Sequence, residues 1–304
     1  MSSVLASLDP FSPVEIARVS RRISLPDGRG LGIAEFGPPD GPVILYFHGW
    51  PSSRLEPAIL DTGDVRIIAV DRPGYGLSDA VTGEPPRRLL DWPADIKHLV
   101  KALGLGRFGV FGMSGGAPYA AAVAAFMPDR VTKLALVSGL GPPDAPGMRG
   151  GRARLLLGLG RSPLQRRLVF TFARSMLLAE RNEDWLLMLR HRLFKSCRRD
   201  LAAFTEEFGH RLLSSWREGL RRGIEGAASD ARIYGEPWGF DLRSIRVPTD
   251  IWHGEQDRVV PVEVGRFYAE RMPRVRSYFL PREGHISLIA AHLDDILDGL
   301  LSRL

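Results

Sequence analysis

The sequence predicts an α/β fold: a mostly parallel central sheet flanked by helices, with an all-helical segment inserted late in the chain. Three observations carry this. Short apolar runs alternate with amphipathic stretches from residue 18 to about 140, the alternation stops for about 90 residues, and it resumes before the C-terminus.

Taken in order, Arg18–Ser24 and Leu31–Phe36 read as an antiparallel strand pair, joined through the turn residues Pro26, Asp27 and Gly28. Pro42–Phe47 is a short apolar run ending in His48-Gly49, the pattern of a buried central strand. Val65–Val70 is the next strand and runs into DRPGYGLSD, residues 71–79. Asp91–Leu103 reads as a helix because Ile96, Leu99, Val100 and Leu103 share one stripe, and Gly104 ends it. Arg107–Phe111 is strand-like, then comes GMSGG (112–116) and a small-residue helix, Ala117–Met127; Val131–Val137 is a further strand.

The pattern then changes. Gly141–Gly150 is a loop rich in proline and glycine, and residues 151–222 show only helical stripes, such as Leu186, Leu189, Leu193 and Leu201, Phe204, Phe208, Leu212. Strands return at Val247–His253 and Val275–Leu280, with helices at Val262–Arg271 and Ser287–Leu301. The expected division is a core of residues 1–140 and 236–304 and a helical domain of residues 141–235.

Composition narrows the class. The chain has 304 residues, 44% of them hydrophobic, enough to bury a full core without crosslinks. One cysteine, Cys197, excludes a disulfide scaffold and a cysteine-rich metal site. No run reaches the ~18 apolar residues of a membrane span, and the N-terminus has no basic segment followed by an apolar one, so a cytoplasmic protein without stable membrane insertion is expected. The net charge of +6 is uneven: residues 141–222 hold 17 basic against 8 acidic side chains, and the rest is mildly acidic. Basic and aromatic residues are not interleaved and no reading motif accompanies the arginines, which argues against nucleic acid. No two histidines stand at ligand spacing, so neither metal nor cofactor is expected.

The chemistry concentrates in a few places. Gly112-Met113-Ser114-Gly115-Gly116 lies between a strand and a helix, where Gly-x-Ser-x-Gly makes a tight turn that lifts the serine hydroxyl above the sheet. A serine needs a base. His285, in a loop after the last strand, suits that role; His98, His191, His210 and His292 fall on helices, and His253 reads as structural at a strand end. Asp257, in the turn after Val247–His253, would fix the base, with Glu255 a neighbour that spacing leaves open. Two N–H donors for an oxyanion are expected from Gly115 and from Trp50, where Gly49 permits the turn. His48, Gly49, Met113 and Trp185 are candidate pocket residues.

These segments, FHGWPSS (47–53), DRPGYGLSD (71–79), GMSGG (112–116), WHGEQDRVVP (252–261) and EGHISL (283–288), resemble the α/β-hydrolase superfamily across essentially the whole chain. The resemblance implies the order Ser114, Asp257, His285, Trp50 as an oxyanion donor, and a helical lid over the site at 141–235. It implies that Asp71, Arg72 and Ser78 are structural. Haloalkane dehalogenases and epoxide hydrolases are similar in several segments but place Asp at the nucleophile, where Ser114 stands.

The expected activity is a serine esterase acting on small to medium apolar acyl esters, as a monomer or homodimer. A carbon–carbon bond hydrolase and a proline-type aminopeptidase share the machinery, although the basic lid disfavours binding a substrate amine. A cofactor-free haloperoxidase would be side chemistry of the same site, and a non-catalytic receptor would leave the triad silent to a fluorophosphonate. Leu155–Leu157, Phe170, Phe172, Met176, Leu177, Trp185 and Met188 read either as an apolar pocket lining or as ordinary packing. The arginines read either as a solvated face or as a surface steering anionic substrates.

Overall fold

The structure is a computed structural model that describes residues 12–59, 63–149, 158, 162–179 and 197–302. The first described element is a helix, α1 (Pro13–Val19), whose last two residues, Arg18 and Val19, the sequence pattern assigns to the strand Arg18–Ser24. The Ser12 side chain accepts the Glu15 N–H and proline stands in the first turn, a strong helix start that delays the strand to Ser20. The elements that follow are β1 (Ser20–Ser24), β2 (Gly30–Phe36), β3 (Val43–Phe47), β4 (Arg66–Val70), α2 (Trp92–Ala102), β5 (Phe108–Met113), α3 (Ala117–Phe126) and β6 (Val131–Val137).

The described residues between β6 and the next strand form helices α4 (Pro163–Leu178), α5 (Arg198–Ala203), α6 (Glu206–Gly219) and α7 (Glu225–Tyr234), besides short turns. The stripe of Leu201, Phe204, Phe208 and Leu212 is split between two helices, because the Thr205 hydroxyl accepts the Phe208 N–H and starts α6 afresh. The stripe of Leu186, Leu189 and Leu193 lies outside the described residues, as do Leu155–Leu157, Trp185 and Met188. The chain closes with β7 (Thr249–Gly254), α8 (Val262–Arg271), β8 (Val275–Leu280) and α9 (Ser287–Leu301).

Eight strands form one sheet in the order β1-β2-β4-β3-β5-β6-β7-β8. β1 and β2 pair antiparallel, as do β2 and β4, and every pairing from β4 through β8 is parallel. β3 stands between β4 and β5, so the chain leaves it on one side and returns on the other. That reversal opens a crevice beyond the C-terminal ends of β3 and β5.

Alternation along β3 explains why its sequence is apolar throughout. Leu45 and Phe47 belong to the apolar layer that holds Trp92 of α2 and Ala120 of α3, with the Phe47 ring edge-on to Trp92, while Ile44 and Tyr46 belong to the opposite layer with Leu288 and Leu300 of α9. No helix among the described residues is long and apolar enough to cross a membrane.

Candidate active site

Ser114 begins a single 3-10 turn that joins β5 directly to α3. Its backbone sits at φ 49°, a left-handed conformation costly for a residue with a Cβ. The flanking glycines make the turn possible. A Cβ on Gly112 would lie 2.6 Å from the Ala120 Cβ, and one on Gly116 would overlap the Phe47 carbonyl. Strand, turn and helix are thus packed so tightly that only hydrogen fits at both positions.

His285 reaches this serine from the loop between β8 and α9. Its Nε2 lies 3.1 Å from Ser114 Oγ, and its Nδ1 lies 2.7 Å from Asp257 Oδ2. With the Nδ1 proton donated to the carboxylate, Nε2 is left to accept from the hydroxyl. Asp257 is held in place by its other oxygen, which accepts the Val259 and Val260 N–H groups at 2.8 Å each. Glu255, the alternative acid, is exposed and pairs with Arg266 at 2.8 Å, so it takes no part in this set. Burial alone would depress the His285 pKa, but the charges of Asp257, Asp200 and Glu56 outweigh it and hold the imidazole above its ordinary value.

His253, read as structural, packs beside the acid: its Nε2 lies 2.9 Å from the Val260 carbonyl and 3.6 Å from Asp257 Oδ2. Burial lowers its pKa despite that carboxylate, which makes it a neutral neighbour.

The Trp50 and Gly115 backbones meet at the crevice. A Cβ built on Gly115 would come 3.3 Å from the Trp50 nitrogen and 2.6 Å from its Cβ. Two buried networks fix this junction. The Gly49 N–H lies 3.0 Å from both oxygens of Glu56, which also accepts the Tyr46 hydroxyl at 2.7 Å. The Arg72 guanidinium donates to the carbonyls of His48 and Gly49 and pairs with Asp230 of α7 at 2.8 Å. Asp230 also accepts from Tyr75 and Tyr119, and the Tyr234 hydroxyl lies 2.8 Å from the Gly115 carbonyl and 3.2 Å from the Asp230 carboxylate. The Trp50 indole N–H donates to the Ala227 carbonyl at 3.2 Å, and its ring meets Phe170 edge-on.

Two pocket expectations are corrected. His48 has no exposed surface: its Nδ1 lies 2.9 Å from the Gly49 carbonyl and its Nε2 accepts the Arg72 N–H. Met113 points into the layer under α9 with Trp252 and Leu288. Gly49 does border the site, its missing Cβ 3.7 Å from that of Ser114, and Trp185 lies outside the described residues. Asp71 and Ser78 are structural, as read: Asp71 accepts from Arg54 and from the Leu77 N–H, and Ser78 donates to the Asp71 carbonyl.

Sequence reasoning missed Glu56, Asp200, Asp230 and Tyr234. None stands in a motif, and only the meeting of distant segments gives them a role.

The fold and this constellation define an α/β hydrolase. The family model for the alpha/beta hydrolase fold matches residues 42–291, and the chain belongs to that family. A bifunctional esterase/perhydrolase of Acinetobacter calcoaceticus is 28% identical over 256 residues, covering 80% of this chain and 84% of the relative. A 2-hydroxy-6-oxononadienedioate/2-hydroxy-6-oxononatrienedioate hydrolase of Pseudomonas putida is 30% identical over 245 residues, covering 78% and 76%. Among solved structures, a probable hydrolytic enzyme of Pseudomonas aeruginosa superposes with a TM-score of 0.69 at 20% identity, covering 93% of this chain and 94% of that one.

Proposed function

We propose that the protein is a serine hydrolase that cleaves carboxylic esters of small to medium apolar acids through an acyl-enzyme. The observation that carries this is the continuous path from Ser114 Oγ through the His285 ring to Asp257. In this reading Ser114 attacks the ester carbonyl as its proton passes to His285 Nε2, and the carbonyl oxygen gains charge facing the Trp50 and Gly115 N–H groups. His285 then protonates the departing alkoxide. It next takes a proton from water, whose oxygen attacks the acyl carbon and frees the acid. Asp257 stays ionised and stabilises the imidazolium; an oxyanion donor of this kind contributes roughly 10²–10³ in rate.

The apolar preference is supported by the surroundings of the triad: Trp50, Val259 and Ile286 neighbour its residues and pack with Phe170, Leu177 and Ala227 in one apolar cluster. In the same reading the helices between β6 and β7 act as the lid.

A second reading, carbon–carbon bond hydrolysis of a vinylogous diketone, is favoured by the relative from Pseudomonas putida. The experiment is fluorophosphonate labelling followed by a para-nitrophenyl ester chain-length panel. Labelling at Ser114 with turnover of short and medium esters is expected, and Ser114→Ala should abolish both while melting like wild type. Labelling with poor ester turnover and rapid cleavage of a diketone would favour the second reading; no labelling would sink both.

A further inference from the structure

The loop that carries His285 is held by a side chain from the helical stretch between β6 and β7. Asp200, in α5, is 1% exposed. Its Oδ2 accepts the His285 N–H at 2.9 Å, and its Oδ1 accepts the Ile286 N–H at 3.0 Å and the Ser287 N–H at 2.9 Å. These are the free N–H groups at the start of α9, which carries no cap from its own chain end: Ile286 at the cap position makes no side-chain bond. The carboxylate also fills the space beside Gly284, where a Cβ would overlap it. One residue away, Arg199 pairs with Glu283, so α5 grips the loop on both sides of Gly284.

We propose that Asp200 is a positioning residue for the candidate base: a carboxylate from the helical stretch that sets the backbone of His285, so that the triad is complete only while α5 is docked. This rests on the serine-hydrolase reading above. The geometry is specific for a carboxylate. An Asn with its oxygen on the Ile286 and Ser287 N–H groups would turn its amide donor toward the His285 N–H, a clash of donors at the residue being positioned. The charge acts in the same direction. The ionisable groups that face the imidazole are Asp257 from the turn after β7, Asp200 from α5, Glu56 from the turn after β3, and the neutral His253 from β7.

The test measures fluorophosphonate labelling rate and ester kcat/KM against pH, for wild type and Asp200→Asn. For the folded variant, a roughly ten- to hundredfold fall in kcat/KM is expected, carried by kcat with KM little changed. The acid limb should also move to lower pH, because one negative charge no longer stabilises the imidazolium. A residue that served stability alone would lower the melting temperature and leave the limb where it was. A folded variant with wild-type kcat and an unmoved limb overturns the proposal. Should Asp200→Asn fail to fold, Gly284→Ala keeps the charge but drives the carboxylate off the N–H groups. Slowed labelling in that variant supports the proposal, and labelling at the wild-type rate overturns it. Wild type that is never labelled overturns the serine-hydrolase reading and this one together, whereas labelling unaffected by either substitution overturns only this one.

Discussion

Gly116 shows how narrowly the site is specified at single residues. A methyl group there would enter the Phe47 carbonyl, and that atom belongs to a central strand, so nothing flexible can give way. Gly116→Ala is therefore expected to cost about 3 kcal/mol or more, or to push the turn apart and misplace Ser114. A melt combined with labelling separates the two, and a variant unchanged in both would refute the packing argument. The catalytic candidates were legible because their signals are local: a strand, a glycine-flanked serine and a helix lie within twenty residues of one another. The choice of Asp257 over Glu255 needed the turn itself, in which the Asp257 carboxylate gathers two backbone N–H groups while Glu255 points to solvent and Arg266. Asp200 and Asp230 were illegible. Apart from Tyr234 beside Asp230, the partners of their carboxylates are separated from them by more than eighty residues, and nothing in their own neighbourhoods marks them.

At the scale of elements, several arginines join the described helices between β6 and β7 to the core and to one another, alongside their apolar cluster. Arg72 from the loop after β4 meets Asp230 of α7, and Arg54 meets both Asp71 and Glu218 of α6. α4 and α6 exchange guanidinium groups across their C-terminal ends: Arg174 donates to the Leu220 and Arg221 carbonyls, and Arg217 donates to the Leu177 carbonyl at 2.8 Å. Each cation thus meets carbonyls that the last helical turn leaves unpaired. The arginine excess of residues 141–222 reads as either a solvated face or a steering surface; Arg174 and Arg217 of that segment instead stitch helices together. Asp230→Ala would leave the Arg72 charge buried without its counterion and is expected to cost about 3–5 kcal/mol. Arg217→Ala, exchanging one partly buried bond, should cost about 1.5–3 kcal/mol. Denaturant melts check both, and the argument fails if the second loss exceeds the first. The helical character of this stretch was legible in its spacing, but its division was not, since the choice of Thr205 as a fresh start competes with an unbroken apolar stripe.

For the molecule as a whole, three buried histidines tie stability to pH, and one of them, His285, also ties activity to pH. His48 must be neutral: with Nδ1–H donated to the Gly49 carbonyl, Nε2 is needed to accept the Arg72 N–H, and burial and the adjacent Arg72 charge hold its pKa well below the ordinary value. Burial lowers His253 as well. In the unfolded chain both rings take up a proton near pH ~6.5. Below that pH the unfolded state binds more protons than the native one. Stability therefore falls with pH, by about 1.4 kcal/mol per unit for each ring until its native pKa is reached. His285 runs the other way. Its folded pKa is raised, so its contribution is complete below pH ~6.5 and is lost as pH rises through the folded value. The base works only when unprotonated, so kcat/KM should climb over that same upper range, with its inflection above pH ~6.5. The pH of greatest thermal stability is accordingly expected to lie below the pH of greatest activity, each turnover regime giving up the imidazolium that Asp257 stabilises in the resting fold. Melting curves and ester kcat/KM measured across the same buffers test this, and coincident maxima would contradict it. His285→Ala isolates the cause: it should flatten the alkaline decline in stability and leave the acid decline, which belongs to His48 and His253, in place.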